Sequence, residues 1–529
     1  MTILRLLLGS KQKHLLVMFQ NNYELRGSGG FITQLLDVTL GRFRLSPAFR
    51  HDYHELKPKD FFQAPPDVQK YLHHQHWYLR DSNLFGYFRV SAQQVLANYH
   101  SIFPQNEVAG AVAVNFCFLE KLLGVIGSVR VGTKTFLADN IFTELSTNVS
   151  DIDKHNLEEL SGRKNIIKSL FFAVIRSCMA KFWKWPAVWT LMRRSLDTKD
   201  LQLFFTNEET QSKLLRNGLA LSFSTLGSKD FLGIVENNFL GLKSNRYIRR
   251  MIFRDVVFEL NRSEKKLSDA MVRIKIEWEH AGHFNYPLSG TYQSVAKIYI
   301  PLAAQNVQIL HAPEPCAFEK TSDATVVSAH QILGIQQSSF LEFSYRLPAE
   351  LFRDGIYRFK FIKQSGVMQE HVHETVRFPD QFKLTLKKSE HLKDGFSAAD
   401  NVAFIDRSRV DRDYDFECSA ELHHQPPRIF FHEMIGPGAF EMRFNEPVFP
   451  DGGKLVVKIM NQQETHSYQV DRTEFTQDNR HLLIHAPGIP KDEEKFYKIF
   501  LEGLVNSVGT SLGYRKVTTV YRSKFFTLK

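Results

Sequence analysis

The chain has 529 residues, of which 43% are hydrophobic and 23% are charged. This composition is typical of a folded globular protein and excludes a disordered or fibrous chain. At roughly 150 residues per domain, the length predicts about three domains. Lys and Arg outnumber Asp and Glu by 67 to 57, giving a net charge of +10 that favours phosphates, anionic lipids or acidic glycans as partners.

The cysteines and the hydropathy pattern exclude further classes. The four cysteines lie far apart without metal-ligand spacing, which argues against a disulfide framework or a zinc site. No run of about 18 uncharged apolar residues is present, so no membrane-spanning helix is expected. The first residues are apolar but interrupted by Lys11 and Lys13. Two interpretations stay open: a cytoplasmic protein, or a true N-terminus upstream of Met1.

Residues 1–248 mix two periodicities, which predicts an α/β domain. Short apolar runs rich in β-forming residues predict buried strands, and apolar residues at helical spacing predict helices, the longest of them broken by Pro186. The predicted strands span 14–20 and 109–116, and the predicted helices span 90–103, 163–194 and 209–226.

The pattern changes near residue 250. Residues 249–378 alternate apolar and polar side chains between turn signals, which predicts an antiparallel β domain. Residues 379–425 are charged and poorly patterned, and an irregular connection is expected there. Five short strands at regular spacing in 426–529 predict an immunoglobulin-like β-sandwich.

The densest group of polar residues and glycines is the segment 20–31, directly after the first predicted strand. Amide side chains, an arginine and flexible glycines at the end of a strand predict a phosphate or oxyanion site, because glycine lets the backbone approach a ligand and arginine binds two oxygens at once. A simple bulge and turn is the alternative. The candidate ligand-binding and catalytic residues here are Gln20, Asn21, Asn22, Arg26, Gly29 and Gly30.

Two other places carry candidate site residues. Arg80 and Asp81 are adjacent and could hold an anion and a divalent cation side by side, unless they form a surface ion pair or a helix cap. Arg163 opens the long predicted helix, where a cation opposes the helix dipole and suggests a bound anion. A solvated first turn is the alternative for Arg163.

These motifs resemble an uncharacterised bacterial envelope family, catalogued as domain of unknown function 4012. The resemblance covers about residues 8–375 and is carried by QNNYELRGSGGF, WYLRDSN, the run AGAVAVNFCFLEKLLGVIGSVRVGTKTFLADN and DFLGIVENNFLGLKSNRYIRR. That family is in turn remotely similar to the LytR–CpsA–Psr phosphotransferases, which join lipid-pyrophosphate-linked glycopolymers to the bacterial wall. The segment 426–529 is similar to bacterial immunoglobulin-like modules of surface proteins.

The resemblance implies a mixed sheet with helices on both faces in the N-terminal domain, and roles for particular residues. Arg26, Arg80 and Arg163 would clamp a pyrophosphate, Asp81 would hold Mg²⁺, and Asn115 would end a strand beside the ligand. The phosphotransferases have aspartates where this chain has Asn21 or Asn22, and Ser28. The chain therefore has fewer carboxylates for a metal, and its anion clamp is better preserved than its metal site.

We accordingly expect an extracytoplasmic protein of the cell envelope, with a membrane anchor that this chain lacks. It would bind a polyprenyl-pyrophosphate-linked glycan, and whether it also transfers that glycan to a wall polymer stays open. The alternative is a non-enzymatic surface protein that binds anionic glycans and uses its β domains as spacers or adhesion modules. A nucleic-acid partner is not expected, although Lys243, Arg246, Arg249, Arg250 and Arg254 form a basic run.

Overall fold

The computed structural model shows a β-rich chain with several sheets. It describes residues 13–41, 44–50, 62–106, 108–150, 157–219, 229–240, 243–261, 266–284, 288–313, 316–352, 355–379, 382–390, 396–399, 401–422, 427–436, 438–453, 455–461, 463–476, 478–489, 496–506, 511–513 and 515–520. None of the helices in these ranges is long and apolar enough to cross a membrane. All four cysteines are free thiols.

The N-terminal part contains seven strands and seven helices within the described ranges. The strands are β1 (Lys13–Asn21), β2 (Phe31–Gly41), β3 (Arg44–Arg50), β4 (Val108–Asn115), β5 (Val129–Val131), β6 (Lys134–Phe136) and β7 (Leu201–Phe205). The helices are α1 (Pro66–Leu72), α2 (Phe88–Ile102), α3 (Phe116–Ile126), α4 (Ile141–Ser150), α5 (Leu157–Ala180), α6 (Trp185–Asp197) and α7 (Glu208–Arg216).

Five of these strands form a mixed sheet in the order β3-β2-β1-β4-β7. Strands β1 and β4 are parallel, whereas β1–β2, β2–β3 and β4–β7 are antiparallel. Side chains alternate along β1: Leu16 and Met18 join a core with α2, while Val17 and Phe19 face a cavity beneath α3 and α5. Helices therefore cover both faces of the sheet.

The helix predicted at 163–194 is confirmed with its break. Helix α5 ends at Ala180, a short turn follows, and Pro186 lies in the first turn of α6, where its missing N–H is tolerated. Helix α7 ends at Arg216, earlier than predicted. Residues 220–226 of the predicted helix lie outside the described residues.

The middle of the chain forms a sandwich of two seven-stranded sheets. The strands are β8 (Asp230–Asn238), β9 (Ile248–Asn261), β10 (Lys266–His280), β11 (Tyr292–Pro301), β12 (Gln305–His311), β13 (Ala317–Lys320), β14 (Ala324–Leu333), β15 (Ser338–Leu347), β16 (Ile356–Ile362), β17 (Glu370–Arg377), β18 (Phe382–Glu390), β19 (Phe396–Ala399), β20 (Val402–Arg407) and β21 (Tyr414–Leu422). One sheet has the order β12-β15-β10-β9-β17-β20-β19 and the other β13-β14-β11-β8-β16-β21-β18.

Both boundaries expected for this β domain differ in the structure. Strand β8 belongs to the sandwich although it precedes residue 249, and it pairs with β11 and β16. It is buried along its whole length, so it lacks the alternation that marks a half-exposed strand. The expected irregular connection at 379–425 instead supplies β18 to β21, whose charged outward side chains obscure the inward apolar ones.

The C-terminal part consists of short strands that enclose a separate core. They are β22 (Ile429–Gly436), β23 (Ala439–Phe444), β24 (Val448–Pro450), β25 (Val456–Asn461), β26 (Ser467–Tyr468), β27 (Arg472–Phe475), β28 (His481–His485), β29 (Phe496–Glu502), β30 (Leu504–Asn506) and β31 (Arg515–Val520). Two four-stranded sheets, β22-β23-β28-β27 and β26-β25-β29-β31, share this core, and β24 pairs with β30. The immunoglobulin-like assignment stays a prediction.

The central sandwich buries charged side chains between its sheets. Arg250 pairs with Glu236 and Glu370, whose carboxylates come from the opposite sheet and from the neighbouring strand β17. Trp278 Nε1 and Tyr292 Oη also donate to Glu236, at 2.7 and 2.6 Å. Because an unpaired buried charge is very costly, such groups persist only with partners of this quality.

A second arginine repeats the arrangement four residues further along the same strand. Arg254 pairs with Asp230 and Glu374, and Tyr357 Oη donates to Asp230 at 2.5 Å. Burial raises the pKa of Glu374 from 4.5 to about 7, although Arg254 opposes the shift. Two members of the basic run therefore lie inside the protein, which removes them from any nucleic-acid surface.

The pKa of Glu374 predicts a pH dependence of stability. The folded state keeps a proton that the unfolded state releases above about pH 4.5, so the free energy of unfolding falls as pH rises from 4.5 to about 7, by about 3 kcal/mol. Glu374→Gln removes this titration. We expect the unfolding midpoint of the variant to change less between pH 5 and pH 8 than that of the wild type, in thermal scans of the full chain.

The exposed Glu319 on β13 provides the control. Glu319→Gln should keep the pH dependence of the wild type. Equal pH dependence in all three proteins would contradict the assignment of the titrating proton to Glu374.

Candidate functional site: a buried motif and an apolar cavity

The segment 20–31 lies in a joint between the N-terminal sheet and the central sandwich. Its backbone is held by asparagines of β8 and of the following turn: Asn237 Oδ1 accepts from Gly27 N at 2.9 Å, and Asn245 Oδ1 accepts from Leu25 N at 3.0 Å. Asn238 N donates to Leu25 O at 2.9 Å. The motif is therefore fixed by the β domain that follows it.

The loop 363–369 of the central sandwich closes the joint from another side. Gln364 Nε2 donates to Arg26 O at 3.1 Å and to Glu236 O at 2.8 Å. Asn22 Nδ2 donates to Gly366 O at 3.4 Å, while its Oδ1 accepts from Cys117 N at 3.1 Å in the first turn of α3. The Asn22 amide thus links the loop to the start of a helix and is buried.

Close backbone approach explains the glycines of the motif. A Cβ on Gly27 would overlap the Leu84 carbonyl, and one on Gly30 would overlap the backbone of Asn21. Gly29 has φ +142°, a backbone conformation that favours glycine, and it lies against the amides of Gln20 and Asn115. These glycines serve packing between chain segments, whereas the sequence predicted approach of the backbone to a ligand.

Arg26 is 2% exposed and its guanidinium is surrounded by the protein. Nη1 donates to the carbonyls of Leu25 and Asn238, and Nη2 lies 3.4 Å from both Glu24 Oε1 and Asp81 Oδ1. In this conformation Nη1 and Nη2 are occupied by the protein, whereas the buried Nε has no hydrogen-bond partner among the described residues, and Arg26 is paired with carboxylates of the interior. That differs from the role of a diphosphate clamp expected from the resemblance.

Asp81 connects two of the three arginines singled out in the sequence. Its Oδ2 lies 3.5 Å from Arg80 Nε, and the guanidinium of Arg80 lies 4.7 Å from the Tyr78 ring centroid. Arg26 and Arg80 thus converge on one carboxylate, as their sequence positions alone could not show. Arg163 lies in α5, but its side chain lies outside the described residues.

These contacts do not fit a Mg²⁺ site at Asp81. The carboxylate is 2% exposed and each of its oxygens lies beside a guanidinium group, so the positive charge around it disfavours a cation at the same place. Among the described residues, no three His, Cys, Asp or Glu side chains come together as a metal site.

Glu24 is the ionisable residue that the sequence argument missed. It is buried beside Arg26, and burial raises its pKa from 4.5 to about 7, with Asp81 adding to the shift and Arg26 and Lys243 opposing it. Glu24 lies within the segment 20–31, and its position two residues before Arg26 was the sequence feature that could have pointed to it. The joint therefore holds a compact group of two carboxylates and two guanidinium groups.

An apolar cavity of about 570 Å³ lies beside this joint, between the sheet and helices α3, α4 and α5. Its volume is within the range of ligand-binding pockets, roughly 300–1,000 Å³. Side chains from both layers form its walls, including Phe19, Leu36, Leu122, Leu170, Phe171 and Val174. Exposed Met179 and Trp185 are also part of the lining, so the cavity reaches the surface.

Polar groups lie at the strand ends that line the cavity. Three of the predicted ligand-binding residues, Gln20, Asn21 and Asn115, are there, together with Lys243. The buried Oε1 and Nε2 of Gln20 and the Oδ1 of Asn115 have no hydrogen-bond partner among the described residues. Asn115 Nδ2 donates a hydrogen bond to Ser365 Oγ at 2.8 Å. The other predicted residues of the motif, Asn22, Gly29 and Gly30, do not line this cavity.

Comparison with known families agrees with part of the sequence resemblance. Residues 10–149 match the family described as a protein of unknown function, DUF4012. This range holds β1 to β6, the motif 20–31 and the Arg80–Asp81 pair. No curated protein matches the chain.

Three similar solved structures show remote likenesses. The N-terminal part of the bacterial S-layer protein SbsC is 14% identical over 18% of this chain and 24% of that chain, with a TM-score of 0.17. The Lin1025 protein from Listeria innocua is 11% identical over 40% of this chain and 79% of that chain, with a TM-score of 0.24. The adhesin domain of Epf from Streptococcus pyogenes is 8% identical over 54% and 95%, with a TM-score of 0.12. TM-scores this low do not establish a shared fold.

The glycine contacts predict a difference between two Gly→Ala substitutions. Gly27→Ala should lower the free energy of unfolding by about 1–3 kcal/mol or more, because its new methyl group overlaps the Leu84 carbonyl. Gly124→Ala is the matched control: Gly124 lies in α3 with no atom near its would-be Cβ, so alanine should stabilise by roughly 0.5–1 kcal/mol. Unfolding midpoints of the full chain that move together in both variants would contradict the packing role of Gly27.

Proposed function

We propose that this is a cell-envelope protein that binds a polyprenyl-pyrophosphate-linked glycan, with the isoprenoid tail in the apolar cavity. The cavity itself is the observation that carries the proposal. An apolar cavity is a poor site for water and a good one for a hydrocarbon chain, because water there finds few hydrogen-bond partners. Branched and aromatic walls such as Val174 and Phe171 suit a branched, unsaturated hydrocarbon.

The polar end of the cavity suits the diphosphate. Lys243 lines it, and its positive charge also acts on the buried Glu24. Asn21 is partly exposed in the same lining, at the end of β1. A cation with an amide donor stabilises a phosphate oxygen through charge-assisted hydrogen bonds. In this proposal Lys243 replaces Arg26, whose guanidinium is committed to the joint.

Binding without transfer is the version that the side-chain contacts favour. Asp81 and Arg26, to which the resemblance assigns the metal and the clamp, are paired with each other and buried. The β domains would then act as spacers or adhesion modules. An extracytoplasmic location, attachment to the membrane and the identity of the glycan belong to this proposal as well.

Filling the cavity should weaken lipid binding. Val174→Trp places a large ring at a buried wall position of the cavity. Geranylgeranyl pyrophosphate, used as a short soluble probe, should then bind at least tenfold more weakly in titration calorimetry. A loss of about 1.4 kcal/mol of apolar contact suffices for that factor. Phe172→Trp, an exposed change on the same helix outside the lining, is the control and should bind as the wild type does. Wild-type protein that does not bind the probe would contradict the proposal.

The head group should depend on Lys243. Lys243→Gln should weaken binding of geranylgeranyl pyrophosphate by roughly 10- to 100-fold, the value of one hydrogen bond to a charged group. It should leave binding of the uncharged alcohol geranylgeraniol unchanged, and Lys243→Arg should restore most of the affinity. If Lys243→Gln weakens both ligands equally, Lys243 shapes the cavity and does not bind phosphate. Release of the isoprenyl monophosphate on adding a glycan acceptor would show transfer.

A further inference from the structure

The hairpin formed by the end of α5 and by α6 exposes an unusual number of large apolar side chains. Phe182 is 67% exposed, Trp183 64% and Trp189 50%. Met179, Trp185 and Met192 add further exposed apolar surface on the same segment. Scattered exposed apolar residues are ordinary, but a contiguous group of this kind marks an interaction surface.

Charge on this segment has a single sign. Residues 163–196 contain eight Lys or Arg residues and no Asp or Glu. Arg176 and Arg193 are exposed, and Arg194 lies 3.6 Å from Asp411 of the central sandwich. Aromatic residues beside cations are the composition of surfaces that lie in the headgroup region of an anionic bilayer, where the rings remain partly hydrated and the cations meet lipid phosphates.

The hairpin is held rigidly against α3. Lys181 Nζ and Lys184 Nζ donate to Ile126 O at 2.6 Å and to Val125 O at 2.7 Å, which satisfies carbonyls at the C-terminal end of α3. Trp185 Nε1 donates to Cys178 O at 2.9 Å and joins the two arms. The aromatic group is thus a fixed platform, so little conformational entropy is lost when it docks.

We propose that the hairpin Met179–Met192 docks on the surface of an anionic lipid bilayer. Phe182, Trp183 and Trp189 would enter the headgroup region, and Arg176 and Arg193 would lie against the lipid phosphates. Met179 and Trp185 belong both to this surface and to the cavity lining, so docking places the mouth of the cavity at the membrane. The docking surface stands on its own contacts, and its link to the cavity rests on the proposed function.

Vesicle binding of the full chain tests the docking surface. Vesicles of phosphatidylglycerol and phosphatidylcholine without any isoprenoid lipid should bind the protein in co-sedimentation, and vesicles of phosphatidylcholine alone should bind it more weakly. The variant Phe182→Ser, Trp183→Ser, Trp189→Ser should bind at least about tenfold more weakly because its buried apolar area is lost. Arg176→Glu with Arg193→Glu should weaken binding by a factor of about five or more for each cation removed.

A control variant and a spectroscopic readout keep the test decisive. Phe284→Ser removes an equally exposed aromatic ring, 78% exposed, from the central sandwich and should bind vesicles like the wild type. In the unsubstituted protein, brominated lipids should quench tryptophan fluorescence, since Trp278 is buried and three of the five tryptophans lie on the hairpin.

Absence of quenching, or vesicle binding that survives the triple substitution, would overturn the proposal. A protein partner would then be the occupant of this surface. Because these vesicles contain no isoprenoid lipid, failure of docking is distinguishable from failure of the cavity to bind geranylgeranyl pyrophosphate.

Discussion

The burial of the loop 20–31 between three parts of the chain is the constraint on which the rest of the site depends. The loop contacts the Asn83–Leu84 backbone, the end of β8 and the loop 363–369. Its glycines allow backbones to meet, and its Arg26 joins Glu24 and Asp81 in the interior. With the loop fixed in this way, β1 and β4 end side by side, and their terminal amides form the polar part of the cavity lining.

The elements that could be predicted are those with strong local patterns. The strand 14–20, the helix broken at Pro186 and the C-terminal strands all follow from periodicity, because each has one apolar face or a proline that fixes a boundary. Strand β8 could not be placed, since a strand buried on both faces has no alternation, and its partners β11 and β16 lie far along the chain. Its assignment requires knowledge of pairings between distant segments.

The candidate site was predictable in its composition and only partly in its geometry. The family resemblance implied that Arg26, Arg80 and Asp81 share one site, and the structure places them in contact. No feature of the sequence showed that the loop 363–369 would contact the backbone of Arg26, because that contact spans more than 300 residues. The same contact explains why an arginine and glycines that resemble a ligand site are instead part of the interior.

Gln364 belongs to the central sandwich, yet its amide donates to the backbone of Arg26. This contact limits which parts of the chain can be exchanged in evolution. A recombination event that exchanged the sandwich for an unrelated module would uncover the Glu24–Arg26–Asp81 group and expose its charges to water without their present neighbours. The two parts are therefore expected to be inherited as a unit, while the C-terminal sheets, which have their own core, can be gained or lost more freely.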